Sequence, residues 1–258
     1  MQGATPEVPH LSGKYYFSTE ALTSAYVNAN LSQEIFDKQL DALAKEEIPN
    51  KADINYTSFN LNAVINSVMF IEATINEFYS EISEAKNDSL IVQHLGEQQV
   101  KRVNKFLKTN ENFLQKENNL YKYDLALVLL DQNEFDKGRS PYQPAKILVD
   151  LRNFLIHYKI ETVDILEDKA SKLEASLKNK FGMHPLYKDN DITLKCFYPF
   201  PKNYLSHECA KWSIKTSREF VETFFAQINY TPYQYTVIKE NYINNIDIFK
   251  NLKIKVKI

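Results

Sequence analysis

Apolar residues in this chain recur at helical spacing. The clearest run is Tyr56–Ile82, where Leu61, Val64, Ile65, Val68, Ile71, Ile75, Phe78, Tyr79 and Ile82 share one broad face. A second firm helix is predicted over Ser206–Ile228, whose Cys209, Trp212, Ile214, Thr216, Phe220, Phe224 and Phe225 form a large apolar surface. Lys14–Asn30 and Ser32–Glu47 read as two helices, opened by Ser18-Thr19-Glu20 and Ser32-Gln33-Glu34, with Pro49 stopping the second. Ser89–Asn118 is a polar helical stretch with Leu90, Val100, Val103, Phe106 and Leu107 at intermittent spacing, and Leu120–Leu130 a short apolar helix. Val163–Leu177 reads as another helix, ending near Gly182, and Tyr233–Phe249 as the last, set off by Pro232. Residues 183–204 carry Pro, Tyr and Asp without helical period, which predicts an irregular loop or a short hairpin. Residues 1–13, with Pro6, Pro9 and Gly13, are expected to form a tether or flexible arm, and the KIKVKI tail reads as a strand or a frayed end. No repeat and no linker divides residues 1–258. The pattern predicts one all-α domain.

One helix carries the densest polar cluster. Over Pro141–Lys159, Ser140 is a good N-cap and Pro141 suits the first helical position. At about 100° per residue, Ile147, Leu151, Phe154, Leu155 and Tyr158 share a core face, with Leu148 at its edge. Val149 and Ile156 lie opposite, flanked by Arg152 on one side and by Asn153 and His157 on the other. Arg152 and His157 stand about 140° apart around the axis, so a single helix does not close both on one small group. Apolar residues on two faces predict burial on both sides, and a two-fold partner would cover the second and bring Arg and His together. The plainer alternative is an Arg and a structural His that fall five apart by chance.

Composition narrows the chemistry. The 31 basic and 33 acidic residues leave a net charge of −2, so no strongly basic stripe announces nucleic acid, although a locally basic groove stays open. Gly occurs only 5 times, and no Gly-rich phosphate cradle is present. Two cysteines suggest a reducing cytoplasm rather than a disulfide framework. No apolar run approaches membrane-spanning length, so the expectation is a soluble, cytoplasmic protein. His184, Cys196, His207 and Cys209 match no zinc spacing, His94 has no matching ligand nearby, and neither metal nor cofactor is expected.

LRNFLIH, with Arg152, Asn153 and His157, resembles the signature of HEPN domains: Arg, a polar residue, a short spacer, then His on a helix of an all-α bundle. IEATINE (Ile71–Glu77) is similar to the long helix that precedes the motif in stand-alone bacterial members, and the PYQ lead-in and trailing HYK fit the same picture. The likeness covers about residues 56–160. It implies a HEPN-like bundle with added N- and C-terminal helices, working as a homodimeric, metal-independent endoribonuclease. The implied settings are toxin–antitoxin or antiphage systems, with an antitoxin or regulatory partner. The family also includes catalytically silent members.

The chemistry expected of the motif is RNA cleavage by internal attack. His157 would act as general base on a ribose 2′-OH, its ordinary pKa lying near neutrality. Arg152, permanently charged and fork-shaped, would bind the scissile phosphate, and Asn153 would orient the imidazole or donate to phosphate. Glu72 falls inside an apolar face, where an unpaired carboxylate is costly, so it is expected either to support Arg152 or His157 or to meet another cation at a partly open edge. Asn76, one turn on, is a weaker candidate for the same support. Arg139, with Lys137 near the start of the motif helix, and Lys159 at its end are candidate contacts to substrate phosphate; loop cations of this kind also serve simply as solubilising charges. The expected substrate is single-stranded or loop RNA, whose backbone bends for in-line attack. The alternative is a silent module that dimerises or binds a partner through the same helices.

Overall fold

A computed structural model of the chain describes residues 14–45, 54–158, 171–181 and 200–240. Among these residues the fold is all-α, as the periodicity predicts, with ten helices and no strand. They are α1 Phe17–Ala44, α2 Ile54–Ser83, α3 Leu90–Leu95, α4 Glu97–Thr109, α5 Phe113–Lys116, α6 Asn119–Leu129, α7 Tyr142–Ile156, α8 Lys172–Lys178, α9 His207–Gln227 and α10 Tyr233–Ile238. Residues 1–13, most of 183–204, 163–170, the end of the last helix and the KIKVKI tail lie outside the described residues. The helix expected over Val163–Leu177 begins at Lys172 instead, because Ser171 is extended at φ −60° and ψ 157° and its hydroxyl caps the helix by accepting the Glu174 N–H.

The long helix α2 is the axis of the bundle. Val64, Val68, Ile71, Ile75, Phe78, Tyr79 and Ile82 of its predicted face are buried, with Phe70 beside them. Each such side chain contributes roughly 1.5–3 kcal/mol on leaving water. α1 lies antiparallel to α2: the Tyr16 hydroxyl donates to Glu81 and the Ser18 backbone N–H to Glu77 at one end, and the Ser32 hydroxyl donates to Asn60 at the other. α9 runs in the same direction as α2, since its His207 backbone N–H donates to the Tyr56 hydroxyl and its Phe224 meets Phe78 edge-to-face. Tyr123 of α6 fills the centre, edge-to-face with Phe220 and Phe224, both at 4.8 Å between rings. Its hydroxyl donates to the Ile71 carbonyl, so the ring is buried without stranding a polar group.

Three further predicted boundaries are corrected. The two helices expected before Pro49 are one, because no Gly or Pro interrupts Phe17–Ala44. Ser32, taken as a cap, is instead fully buried mid-helix, its hydroxyl spent on Asn60, whose amide donates in turn to the Leu205 carbonyl. The polar stretch from Ser89 breaks into α3, α4 and α5 at Gly96, whose φ of +89° closes one helix and opens the next, and again at Asn110. The motif helix starts one residue later and ends earlier than predicted: Pro141 is its N-cap, not Ser140, and His157 its C-cap.

Candidate active site

The apolar side of α7 fixes the helix. Ala145, Leu148 and Leu151 are fully buried, and Phe135 and Tyr142 pack on Phe220 where the helix begins. The loop before it is tied down by local ion pairs, Lys137 with the buried Asp124 at 3.4 Å and Arg139 with Asp136 at 3.3 Å. Burial pushes the Asp124 carboxyl up, and the Lys137 charge opposes it. Lys137 and Arg139 are thus engaged with carboxylates next door. Arg139 is almost fully exposed, and Lys159 lies outside the described residues.

Val149 is buried within the chain itself, so the second apolar face is narrower than expected, whereas Ile156 is 46% exposed. Tyr158, placed on the core face by spacing, is 49% exposed, because α7 has ended before it. It packs edge-to-face on Phe154, which meets Phe200 at 5.0 Å between rings. Asn153 is half-buried, and its carbonyl accepts the His157 backbone N–H at 3.0 Å. That bond closes the helix and leaves the imidazole exposed at its tip.

Arg152 turns inward. Its side chain is only 17% exposed, one terminal nitrogen donates to Glu72 Oε2 at 3.4 Å, and its Nε is buried with no acceptor among the described residues. Glu72 therefore meets Arg152 and not His157, and at 42% exposure its side chain sits at an open edge rather than inside the apolar face. The same Oε2 accepts from Asn119 Nδ2 at 3.0 Å. One turn along α2, Asn76 Oδ1 accepts from Lys122 Nζ at 3.0 Å, and Lys122 also donates to the Leu114 carbonyl at 2.6 Å. Asn76 thus serves Lys122 rather than Arg152 or His157. Two rungs result, Glu72–Asn119 and Asn76–Lys122, with Arg152 attached to the first.

Asn119 and Lys122 escape the sequence reading. The signal was available: Lys122 interrupts the apolar run of α6 as Glu72 interrupts that of α2, and a charge inside an apolar helix needs a partner. Lys122 is 1% exposed. Burial lowers its pKa, and the charges of Glu72 first and Glu117 second hold it up.

Elsewhere, Cys209 is buried and its thiol is pushed up to about 12 by burial, while His207 stacks on Phe36. Cys196 and His184 fall outside the described residues. Among the described residues no three His, Cys, Asp or Glu side chains gather as metal ligands, and no helix is long and apolar enough to cross a membrane. Compared with protein-family models, curated proteins and solved structures, the chain matches none.

Proposed function

We propose that the chain is a HEPN-type endoribonuclease, metal-independent as the motif's resemblance implies, that cleaves single-stranded or loop RNA by 2′-OH attack. The observation that carries this reading is the state of Arg152: its guanidinium is anchored by one long contact to Glu72 and keeps an unspent Nε–H, five residues before an exposed imidazole. That Nε–H is out of a ligand's reach, but a guanidinium held at one terminal nitrogen has the other terminal nitrogen to offer a phosphate once it turns outward. In the reaction, His157 takes the proton of the ribose 2′-OH and the 2′-oxygen bonds to phosphorus. The P–O5′ bond then breaks and the 5′-oxygen takes a proton from water, while the imidazolium returns its proton to solvent, so no net proton is consumed. Products carry a 2′,3′-cyclic phosphate and a 5′-OH. Arg152 stabilises the charge gathering on the phosphoryl oxygens. A homodimer through the end of α7 supplies Arg and His to one site from two copies, and a toxin–antitoxin or antiphage role, under an antitoxin or regulator, suits such an enzyme in the cytoplasm.

One observation favours a second reading. Arg152 is mostly buried and already paired, as it would be in a silent module whose motif only braces α7 on α2. The two separate in one experiment: purified protein with total cellular RNA in excess EDTA, wild type against His157→Ala and Arg152→Ala. The ribonuclease predicts cleavage by wild type and a loss of at least about a hundredfold in each variant. No cleavage by wild type, or equal cleavage by all three, favours the silent module.

A further inference from the structure

We propose that Lys122 is a positioning residue for Arg152: Asn119 braces Glu72 from the α6 side and the Lys122 ammonium, held one turn along on Asn76, offsets its charge, so that the guanidinium can turn to a phosphodiester without leaving an uncompensated carboxylate behind. The RNA-binding half of this inference rests on the function proposed above. The charge-pairing half stands without it.

The geometry separates the two cations by their grip. Arg–carboxylate pairs that persist are normally bidentate, with N–O distances of about 2.7–2.9 Å. Arg152 instead reaches one oxygen at 3.4 Å, an oxygen that Asn119 already occupies at 3.0 Å. The Arg152 Nε finds no acceptor among the described residues. Glu72 therefore does not saturate Arg152. Lys122 is anchored firmly by comparison, through Asn76 and the Leu114 carbonyl, and both of those partners are neutral. A buried ammonium with only neutral partners is costly. Lys122 makes no ion-pair contact with Glu72, but its partner Asn76 stands one turn from Glu72 on α2, and Glu72 is the carboxylate that most favours the protonated form of Lys122, with Glu117 second.

Spacing makes the arrangement rigid. Glu72 and Asn76 are four apart on α2, and Asn119 and Lys122 three apart on α6, so each pair presents one face and the two rungs form together. Arg152, from a third helix, adds to a carboxylate already held on its other side. When an anion draws the guanidinium away, Glu72 keeps the Asn119 hydrogen bond and the Lys122 charge. Without Lys122, the same movement would strand a half-buried carboxylate, and Arg152 would stay locked on it.

Wild type, Lys122→Met, Glu72→Gln and the double variant provide the test, read by binding of a 2′-O-methyl RNA oligonucleotide and by urea unfolding. That RNA keeps the phosphodiester and lacks the attacking hydroxyl, so binding is measured without turnover. Lys122→Met is expected to bind about tenfold more weakly, and adding Glu72→Gln to restore affinity to within about twofold of wild type. A merely structural lysine gives no such rescue: equally weak binding by Lys122→Met and the double variant, or unchanged binding by Lys122→Met, overturns the proposal. Failure of wild type to bind the RNA removes the function proposed above, and the unfolding cycle then decides this inference alone. Lys122→Met must cost less stability in the Glu72→Gln background than in wild type, and additive losses overturn it. Should Lys122→Met not fold, the Lys122 titration is followed by NMR in wild type and Glu72→Gln. A fall in its pKa on losing the carboxylate supports the pairing, and no change overturns it.

Discussion

At the residue scale, buried ionisable groups outside the motif set how the fold responds to pH, and His207 is the clearest. It sits at the start of α9, buried and stacked on Phe36 at 5.8 Å between rings. Burial first and the Lys211 charge second hold its pKa below the ordinary histidine value, while Glu208 and Asp37 pull more weakly the other way. The folded state thus prefers the neutral ring. Above about pH 6.5, the unfolded value, both states carry it neutral and its contribution to stability is constant. Below that, the unfolded chain takes up a proton that the folded one resists, so stability falls with pH until the depressed folded pKa is reached. The slope reaches at most about 1.4 kcal/mol per pH unit for one proton. Urea unfolding between pH 7 and 5 should therefore show wild type losing stability faster than His207→Phe, which keeps the aromatic stack without the titration. Parallel slopes for the two proteins would remove His207 from the account.

At the scale of elements, one glycine decides how the polar region after Ser89 is cut. Gly96 ends α3, where its N–H donates to the Val92 carbonyl, and caps the start of α4, all at φ +89° and ψ 144°. A side chain disfavours that backbone region, and a Cβ there would lie 2.8 Å from the Gln99 Oε1, which can move. The strain is then mainly in the backbone. Gly96→Ala should cost about 1–2 kcal/mol in urea unfolding, while Gly138→Ala, where a Cβ meets only Asp136 Oδ1 at 3.4 Å, should stay within about 0.5 kcal/mol. Equal losses at both positions would refute this account of the break. The same region shows what local signals convey. Periodicity located α2, α6, α7 and α9 because their apolar stripes are continuous. It missed the break at Gly96 because a lone glycine in a helical pattern is ambiguous, and it split α1 because a serine reads as a cap until Asn60 is seen opposite it. The site was half legible. Glu72 and Arg152 stand out as charges on helices with buried faces, but their contact joins residues 80 apart, and the Asn119–Lys122 support becomes visible only once α6 is docked on α2.

For the whole molecule, the proposed activity turns on whether Arg152 and His157 would act in one chain or across two. Within a chain they diverge: Arg152 points back to Glu72, and His157 stands exposed past the end of α7, beside the half-exposed Ile156 and Tyr158. A two-fold pairing of α7 ends would cover those apolar side chains and set each His against the partner's Arg. Complementation reads this directly. Arg152→Ala and His157→Ala are inactive alone under the composite arrangement, but a mixed dimer contains one intact site, made from the Arg of the His157→Ala chain and the His of the Arg152→Ala chain. With random re-association half the dimers are mixed and each holds one working site of two, so an equimolar mixture should recover about a quarter of wild-type cleavage. An intrachain site recovers nothing, however the chains associate. Ile156→Asp completes the test, since a charge at the seam should yield monomers by sedimentation and abolish the recovery, while the chain keeps its helical circular dichroism because Ile156 lies outside the core.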